Sequence, residues 1–240
     1  MKIYKKKQSV ICIIPARGGS KGIKLKNLRK VCGKPLIYYP INAAIKSKVC
    51  DRIIVSTDCK KIEKEAKKHG AEVPFLREKK YSGDRTTTEE TLKNALKEAE
   101  IFYRTRFDIC VFLTCTNIFR KVKWIKEAVN ILKKNQSIDS AFSVHGFYKH
   151  MWHEVKGKYC KVSSWMSSYT SRQVGQKLFR EDTGLTLATR SKFWRKGERI
   201  GKKVYFIINN DPFTGIDIHS KKDLYLAEMA MRYQKKMIDH

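Results

Sequence analysis

A glycine-rich loop near the start of the chain carries the residue types that could bind phosphate. The loop spans residues 15–22, reads PARGGSKG and follows the apolar run Val10–Ile14. Glycines let backbone N–H groups converge on an anion, and Arg17, Lys21 and Lys26 add positive charge around them. The loop fits neither the GxxxxGK[ST] nor the GxGxxG phosphate-binding pattern. These features favour a phosphate cradle over a flexible basic turn.

Short apolar runs alternate with amphipathic stretches of helical length along the chain, which is typical of a parallel sheet covered by helices on both faces. The expected strands are Val10–Ile14, Arg52–Ser56, Ile109–Leu113, Ser140–Val144, Leu185–Ala188 and Val204–Ile208. The expected helices are Pro35–Lys48, Lys60–His69, Thr86–Phe102, Val122–Lys134 and Lys221 to about Lys236. Since the loop 15–22 follows the first strand, it lies where open α/β sheets bind ligands.

The segment 145–200 breaks this alternation, because it is rich in aromatic residues, Ser, Lys and Arg and has poor periodicity. We expect it to be an insertion that covers the site, forms a dimer contact, or does both. The rest of the chain has the size and apolar content of one folded unit. We therefore predict a single domain over 1–240 with this smaller inserted segment.

Composition and charge limit the classes of protein to which the chain can belong. With 42% hydrophobic residues, the chain can form a core, and global disorder is excluded. Its 52 Lys and Arg against 23 Asp and Glu give a formal net charge of +29, which is compatible with a nucleic acid, an acidic membrane or an anionic substrate as partner. The cations are dispersed, and no nucleic-acid-binding signature is found. We therefore expect no nucleic-acid partner.

The cysteines and the lengths of the apolar runs indicate the cellular compartment in which we expect the protein. The seven cysteines are odd in number, scattered and without a CxxC pair, which predicts free thiols in the reducing cytoplasm. No apolar run reaches the roughly 18 residues that a membrane-spanning helix needs. We therefore expect a cytoplasmic protein with no membrane partner.

Several motifs together resemble the acylneuraminate cytidylyltransferase family, whose members make CMP-activated sialic acids and related nonulosonic acids. They are PARGGSKGIKLKN at 15–27, GKPLI at Gly33–Ile37, IVSTD at Ile54–Asp58, AEVPFLRE at Ala71–Glu78, and the following Ser82, Asp84 and Thr86. The resemblance implies a Rossmann-like nucleotidyltransferase fold, usually in a homodimer. It also implies Mg²⁺-dependent transfer of CMP from CTP to a 2-keto sugar acid, with release of pyrophosphate.

The resemblance assigns roles to residues on the nucleotide side. Arg17 and Lys21 would act on the triphosphate and the leaving group as catalytic residues. The implied nucleotide-binding residues are Ala16, Arg17, Gly18, Gly19, Ser20, Lys26, Asn27, Ser82 and Thr116. An alternative for Ser82 and Asp84 is an ordinary cap for a helix that begins near Thr86.

The resemblance also assigns residues on the sugar-acid side, which are Arg120, Lys149, Arg172, Gln173 and Arg180. Arginine suits this task because its planar fork can hold a carboxylate in a bidentate manner. In so cationic a chain each basic residue, taken alone, is also compatible with a plain surface position. The pair Arg172-Gln173 and the following Phe179-Arg180 match the family's spacing.

Two departures from the family pattern affect the chemistry. The family's late Asp-X-Asp motif reads Asp217-Ile218-His219 here, so we expect Asp217 to hold Mg²⁺ with triphosphate oxygens and waters. His219 is expected either to act as a base for the sugar hydroxyl or to mark weakened catalysis. The loop Thr114–Arg120 keeps Thr116 and Arg120 but lacks the family's glutamine and both prolines, so the acceptor can differ from sialic acid.

Three functional hypotheses follow. The first is a cytidylyltransferase for a nonulosonic acid, or for a different acidic acceptor such as 3-deoxy-manno-octulosonate. The second is a catalytically degraded family member with a binding or regulatory role. The third, nucleic-acid binding, rests on net charge alone.

Overall fold

A seven-stranded sheet lies at the centre of the computed structural model, which describes residues 8–167 and 176–238. In chain order the strands are β1 Val10–Pro15, β2 Lys30–Val31, β3 Lys34–Pro35, β4 Arg52–Ser56, β5 Ile109–Phe112, β6 Ser140–Phe147, β7 Trp152–Val155, β8 Lys158–Lys161, β9 Leu178–Glu181, β10 Leu187–Arg190 and β11 Val204–Asn209. The helices are α1 Tyr38–Ser47, α2 Lys60–Lys68, α3 Thr88–Phe102, α4 Val122–Lys134, α5 Ser191–Lys196 and α6 Lys221–Ile238.

The sheet is mostly parallel, as the alternation of apolar runs predicts. Its strand order is β11-β6-β10-β5-β1-β4, with β9 paired to β6. The pairs β1–β4, β1–β5 and β6–β11 are parallel, whereas β10 is antiparallel to both β5 and β6. The predicted strand Leu185–Ala188 is shifted, because β10 begins at Leu187. The predicted α/β fold class is confirmed.

Each face of the sheet has its own hydrophobic core, because side chains alternate along β1. Val10, Cys12 and Ile14 pack on one face with residues of α1, α2, α4 and α6. Ile11 and Ile13 pack on the other face with residues of α3 and α5. Helices therefore cover both faces of the sheet. No helix in the described ranges has the length and apolar character needed to cross a bilayer.

Two helices begin later than the sequence pattern predicts. Helix α1 begins at Tyr38, three residues after the predicted Pro35, because Lys34–Pro35 forms β3 and pairs with β2. Helix α3 is capped by Thr87, whose hydroxyl accepts from the Glu90 amide at 3.1 Å, while Glu90 accepts from the Thr87 amide at 2.8 Å. The alternative role of Ser82 and Asp84 as the cap of this helix is therefore wrong.

The segment 145–200 is only in part an addition to the sheet. Strands β7 and β8 form a separate, exposed hairpin. Strand β10 lies inside the main sheet, and α5 packs against α3. The part that extends from the sheet is therefore shorter than 145–200. Its role as a cover or a dimer contact stays a prediction.

The connections converge at one edge of the sheet. Strands β1 and β5 are parallel and end at this edge, so the loops after Pro15 and Phe112 begin side by side. Strand β10 runs the opposite way, so the turn that precedes Leu187 reaches the same edge. This edge therefore gathers four chain segments, which are 16–29, 113–121, 182–186 and 210–220.

Candidate functional site

Two adjoining cavities open at this edge. The first, the loop cavity, has a volume of about 450 Å³ and is lined by the loop after β1 and by segments before and within α3. The second, the turn cavity, has a volume of about 560 Å³ and is lined by the β9–β10 turn and by segment 214–219. Five residues line both cavities, namely Thr88, Phe112, Thr114, Thr116 and His219. A ligand in one cavity would therefore touch the wall of the other.

The glycine-rich loop turns its later residues toward the loop cavity. The predicted residues that line it are Arg17, Ser20, Lys21, Lys26 and Asn27. Ala16, Gly18 and Gly19, which were predicted with them, do not line it. The Gly18 amide donates to Asp58 Oδ1 at 2.8 Å, and a Cβ at Gly18 would lie 2.9 Å from Cys59 Cβ. The predicted phosphate contact of Gly18 is thus replaced by close packing against the segment after β4.

Two cations of the loop converge on one carboxylate. Arg17 Nη2 lies 3.1 Å from Asp84 Oδ1, and Lys21 Nζ lies 3.0 Å from Asp84 Oδ2. Arg17 Nη1 also donates to the Gly83 carbonyl at 3.0 Å. The hydrogen bond from Lys21, together with the charges of both cations, lowers the pKa of Asp84. The two cations are therefore already spaced so that oxygens of one anionic group can bridge them.

Lys26 connects the glycine-rich loop to the segment that carries Asp217 by a hydrogen bond. Its Nζ donates to the Ile218 carbonyl at 2.9 Å, and burial lowers its pKa while the nearby Asp217 charge opposes that shift. The Asn27 side chain donates to the Arg17 carbonyl at 3.1 Å. A Cβ at Gly22 would lie 2.5 Å from the His219 carbonyl oxygen, so only glycine fits this approach. These contacts fix the third cation at the junction of the two cavities.

Arg77 also lines the loop cavity and was not among the predicted site residues. Its side chain is buried, and Nη2 donates to the Ser56 carbonyl at 3.2 Å. Its Nε is buried without a hydrogen-bond partner in the described part of the chain, and burial lowers its pKa. A buried guanidinium with an unused donor is costly unless a ligand satisfies it. The only signal in the sequence is an arginine that directly follows the short apolar run VPFL at 73–76.

The loop after β5 packs closely against the β9–β10 turn. The Thr114 amide donates to the Gly184 carbonyl at 3.0 Å, and Thr114 Oγ1 donates to Asn117 Oδ1 at 2.7 Å. A Cβ at Gly184 would collide with Asn117 Oδ1, so glycine is needed where the two segments meet. Thr116 lines both cavities, as its predicted contact with the nucleotide requires.

Arg120, predicted to contact the sugar acid, lies behind this junction. Its Nη2 donates to the carbonyls of Thr114 at 2.9 Å and Gly184 at 2.6 Å, and its Nε donates to the Leu185 carbonyl. It lines neither cavity, and burial lowers its pKa to about 10. These hydrogen bonds make Arg120 a support that holds the two site loops together, and its direct contact with the sugar acid stays a prediction.

Arg180 lines the turn cavity, and its contact with the sugar acid stays a prediction. It pairs with Asp182, with Nε at 2.7 Å from Oδ1 and Nη2 at 3.0 Å from Oδ2, and this pairing raises its pKa. Arg120 and Lys149, the other residues predicted for the sugar-acid side that the structure describes, do not line the turn cavity. Lys149 is exposed and lines neither cavity. Arg172 and Gln173 lie outside the described residues.

Arg199 is a second arginine of the turn cavity that the sequence patterns did not reveal. Its Nε donates to Glu89 Oε1 at 3.1 Å, its Nη1 to Thr183 Oγ1 at 2.6 Å and its Nη2 to Glu181 Oε1 at 2.8 Å. It thereby joins the first turn of α3 to the β9–β10 turn. Its partners lie up to 110 residues away in the chain, so no local pattern could indicate them.

The predicted Ser82 and the nearby Asp223 have local roles. The Ser82 hydroxyl donates to the Glu78 carbonyl at 3.2 Å, and Ser82 lines neither cavity, whereas its neighbours Gly83 and Asp84 line the loop cavity. Asp223, which follows the Asp217 segment, accepts from the amides of His219 and Ser220 at the start of α6 and caps that helix.

Asp217 and His219 form a pair at the junction of the cavities. His219 Nε2 lies 2.8 Å from Asp217 Oδ2, and both residues are partly exposed. The Asp217 charge also acts on Lys26, which lines the loop cavity, and on Arg180, which lines the turn cavity. Within the described residues no group of three or more His, Cys, Asp or Glu side chains could hold a metal ion. A metal here would depend on Asp217 and on oxygens of a bound ligand.

The chain resembles known proteins over most of its length. Its sequence is 29% identical over 226 residues to the post-translational flagellin modification protein B of Campylobacter coli, a match that covers 93% of this chain and 95% of that protein. It is 39% identical over 127 residues to the CMP-N,N'-diacetyllegionaminic acid synthase of Legionella pneumophila, covering 52% of this chain and 53% of that protein. In the second case the matched segment thus spans about half of the relative.

A comparison with solved structures and a match to a family model agree with these sequence relatives. A solved CMP:2-keto-3-deoxy-manno-octonic acid synthetase complexed with CTP superposes with a TM-score of 0.69 at 14% identity, covering 95% of this chain and 100% of that one. At this identity the likeness shows a shared fold. The family model described as Cytidylyltransferase matches residues 11–231, which include both cavities and the cations between them. The chain therefore belongs to the cytidylyltransferase family of nucleotidyltransferases.

Proposed function

We propose that this protein transfers the cytidylyl group from CTP to a hydroxyl of a nonulosonic sugar acid and releases pyrophosphate. The observation that carries the proposal is the pair of adjoining cavities, one lined by Arg17, Lys21 and Lys26 and the other by Arg180, with a common wall. The first suits a polyanionic nucleotide and the second a carboxylate. The legionaminic acid synthase among the relatives supports this class of acceptor.

The reaction is an in-line displacement at phosphorus. The acceptor hydroxyl oxygen forms a bond to the α-phosphorus of CTP, the bond from that phosphorus to the β-bridging oxygen breaks, and pyrophosphate leaves with its electron pair. Such a transfer depends on positioning and on charge neutralisation. The cations of the loop cavity neutralise the leaving group, and the common wall brings the acceptor close to the α-phosphorus.

We propose that Mg²⁺ is bound by Asp217 together with triphosphate oxygens and waters. Mg²⁺ prefers hard oxygen ligands and commonly takes one or two carboxylates plus substrate phosphates. The exposed carboxylate of Asp217 fits it, because it lines the turn cavity and its charge acts on Lys26 of the loop cavity. When bound, Mg²⁺ would neutralise the developing charge on the phosphate oxygens. Imidazole is a poor ligand for this ion, so His219 is assigned another task.

We propose that His219 receives the proton of the acceptor hydroxyl. Its Nε2 lies 2.8 Å from the Asp217 carboxylate, so in the neutral ring this nitrogen carries the hydrogen and donates a hydrogen bond to the carboxylate. The lone pair of Nδ1 is left to accept the hydroxyl proton, and Asp217 stabilises the imidazolium that forms. His219 lines both cavities, as this task requires.

The experiment measures pyrophosphate release from CTP by the purified protein, with a panel of nonulosonic acids and with 3-deoxy-manno-octulosonate, in the presence of Mg²⁺ or of a chelator. We expect release with a nonulosonic acid and Mg²⁺, and none with the chelator. Asp217→Ala should lose this activity, since it removes both the proposed metal ligand and the partner of His219.

Matched variants separate the roles. His219→Gln should lower kcat by about 10²- to 10⁴-fold and leave KM for CTP nearly unchanged, because a general base acts on the chemical step. Asp51→Asn alters a carboxylate outside both cavities and serves as the control. If CTP binds and no sugar acid reacts, the proposal is wrong and the protein is a degraded member with a binding role.

We further propose that the protein works as a homodimer in the cytoplasm. The hairpin of β7 and β8 supports self-association, because Trp152 and Tyr159 are 57% and 72% exposed there. All seven cysteines are free thiols, which agrees with a reducing compartment.

A further inference from the structure

Helix α6 exposes a continuous apolar stripe along its outer side. Four of its members follow one another at intervals of four residues, and the fifth lies beside them, so all fall on one side of the helix. Between 49% and 66% of each side chain is exposed. These five residues, called the α6 stripe, are Tyr225, Leu226, Met229, Tyr233 and Met237.

The stripe is separate from the face with which α6 packs on the protein. Ala227 and Ala230 are buried in the core, and Leu224 and Met231 pack partly against it. The ring centroid of Tyr233 lies 6.1 Å from that of Phe213, which supports the stripe from one side. The inner apolar face of the helix thus packs against the protein core. The outer apolar face is not covered by any of the described residues.

The acidic and basic side chains of α6 differ in their partners. Both acidic side chains of the helix accept hydrogen bonds from other groups of the protein. Asp223 accepts from the backbone amides of His219 and Ser220, and Glu228 accepts from Arg232 at 2.9 Å and from the Cys32 amide at 3.1 Å. Four exposed lysines form no ion pair with any residue in the described ranges, and they are Lys221, Lys222, Lys235 and Lys236.

We propose that the α6 stripe and these lysines dock the protein on the surface of an anionic lipid bilayer. A helix with an apolar face bordered by lysines lies in the plane of the membrane interface, where its apolar side chains enter the headgroup region and its cations meet anionic lipids. Two of the five stripe residues are tyrosines, whose ring and hydroxyl suit that boundary.

Charge favours this occupant over the alternatives. A second copy that covered the stripe symmetrically would place the same four lysines of α6 against their counterparts, at short range and without acids between them. A nucleic acid would match the lysines but would leave the Leu and Met side chains without apolar contacts. An anionic bilayer provides partners for both groups at once.

The sequence-based expectation of no membrane partner came from the lack of a long apolar run. An interfacial helix has no such run, since its apolar residues recur at helical intervals among charged ones. Only the orientation of α6 shows that one apolar face is buried and a second one is exposed.

The test is cosedimentation of the full chain with vesicles of phosphatidylcholine, with and without about one third phosphatidylglycerol. We expect binding to the anionic vesicles and little to the neutral ones. The double variant Leu226→Ser/Met229→Ser and the double variant Lys235→Gln/Lys236→Gln should each weaken binding about tenfold. Ile101→Ser, which removes another exposed apolar side chain on α3, should leave binding unchanged.

Thermal unfolding and pyrophosphate release from soluble substrates verify that each variant is folded. Both should be unchanged in a folded variant, because α6 lines neither cavity. A failure of the docking proposal can therefore be distinguished from a failure of the proposed reaction. It is overturned if anionic vesicles do not bind the protein, or if the Leu226/Met229 variant binds them as the unaltered chain does. It is also overturned if that variant has a lower molar mass by light scattering, since a second copy would then cover the stripe.

Discussion

In the loop cavity, Asp84 contacts the two cations to which the triphosphate is proposed to bind. Its carboxylate oxygens lie 3.1 Å from Arg17 Nη2 and 3.0 Å from Lys21 Nζ. A carboxylate and a phosphate offer similar oxygen pairs to a guanidinium and an ammonium group. Asp84 therefore holds the cations in place before the nucleotide arrives, and it competes with the phosphates for them.

Asp84→Asn should strengthen CTP binding, because the amide keeps the size of the side chain and removes the competing charge. Since exposed ion pairs are weak, we expect the Kd for CTP to fall by only about two- to fivefold. Calorimetric titration of CTP measures the change. Glu127→Gln, at an exposed acid of α4, is the control and should have no effect. Weaker CTP binding by Asp84→Asn would show that the carboxylate is needed to order the cations.

How far the residues of the site could be predicted depends on the length of the pattern around them. Arg17, Lys21, Lys26 and Asn27 share one continuous motif after a buried strand, so their common location was predictable. The buried Arg77 is a single residue that only the fold carries to the cavity. Gly18 was assigned to phosphate because glycines near cations suggest a nest, and its close approach to Cys59 depends on a contact between two loops.

At the scale of elements, the sequence predicts the strands that form continuous apolar runs, including β11, whose residues are mostly exposed. Strands β1 and β5 are buried along almost their whole length and form apolar runs. The β7–β8 hairpin is exposed on nearly every residue, so neither run nor alternation marks it. The antiparallel direction of β10 could not be predicted from its apolar run, because an apolar run does not encode strand direction.

Arg199 is the contact between α3 and the β9–β10 turn that gives the turn cavity its shape. Arg199→Met removes the hydrogen bonds to Glu89, Thr183 and Glu181. We expect the free energy of unfolding to fall by about 1–3 kcal/mol, because a largely buried guanidinium loses three hydrogen bonds. The KM for the sugar acid should rise about tenfold or more, with a smaller change in KM for CTP. Urea unfolding and initial-rate kinetics measure the two effects.

Two further variants distinguish positioning from plain loss of stability. Arg199→Lys retains one charge but not the fork, so it should recover part of the stability and little of the KM for the sugar acid. Arg232→Met breaks the single exposed pair with Glu228 and should change neither KM. Equal increases in both KM values for Arg199→Met would contradict a specific role in the turn cavity.

At the scale of the whole molecule, the net charge of +29 far exceeds what the two cavities contain. Many lysines lie on the exposed sides of helices such as α2 and α4 and line neither cavity. Their combined field still acts at a distance on an approaching polyanion, within a Debye length of about 10 Å at 0.1 M salt. The excess charge should therefore affect how fast CTP is captured, while the site residues determine what happens afterwards.

Replacing four remote lysines by glutamine should reduce this capture without changing the chemistry. The logarithm of kcat/KM for CTP should fall with rising salt, from about 0.01 M to about 0.15 M, less steeply than in the unaltered chain, because the long-range field is weaker. At saturating CTP, kcat should stay the same. The variant that keeps the charge, with arginine at the same positions, should retain the full salt dependence. The four exposed lysines to replace are Lys46, Lys64, Lys68 and Lys126. An unchanged slope in the glutamine variant would mean that only site cations attract CTP.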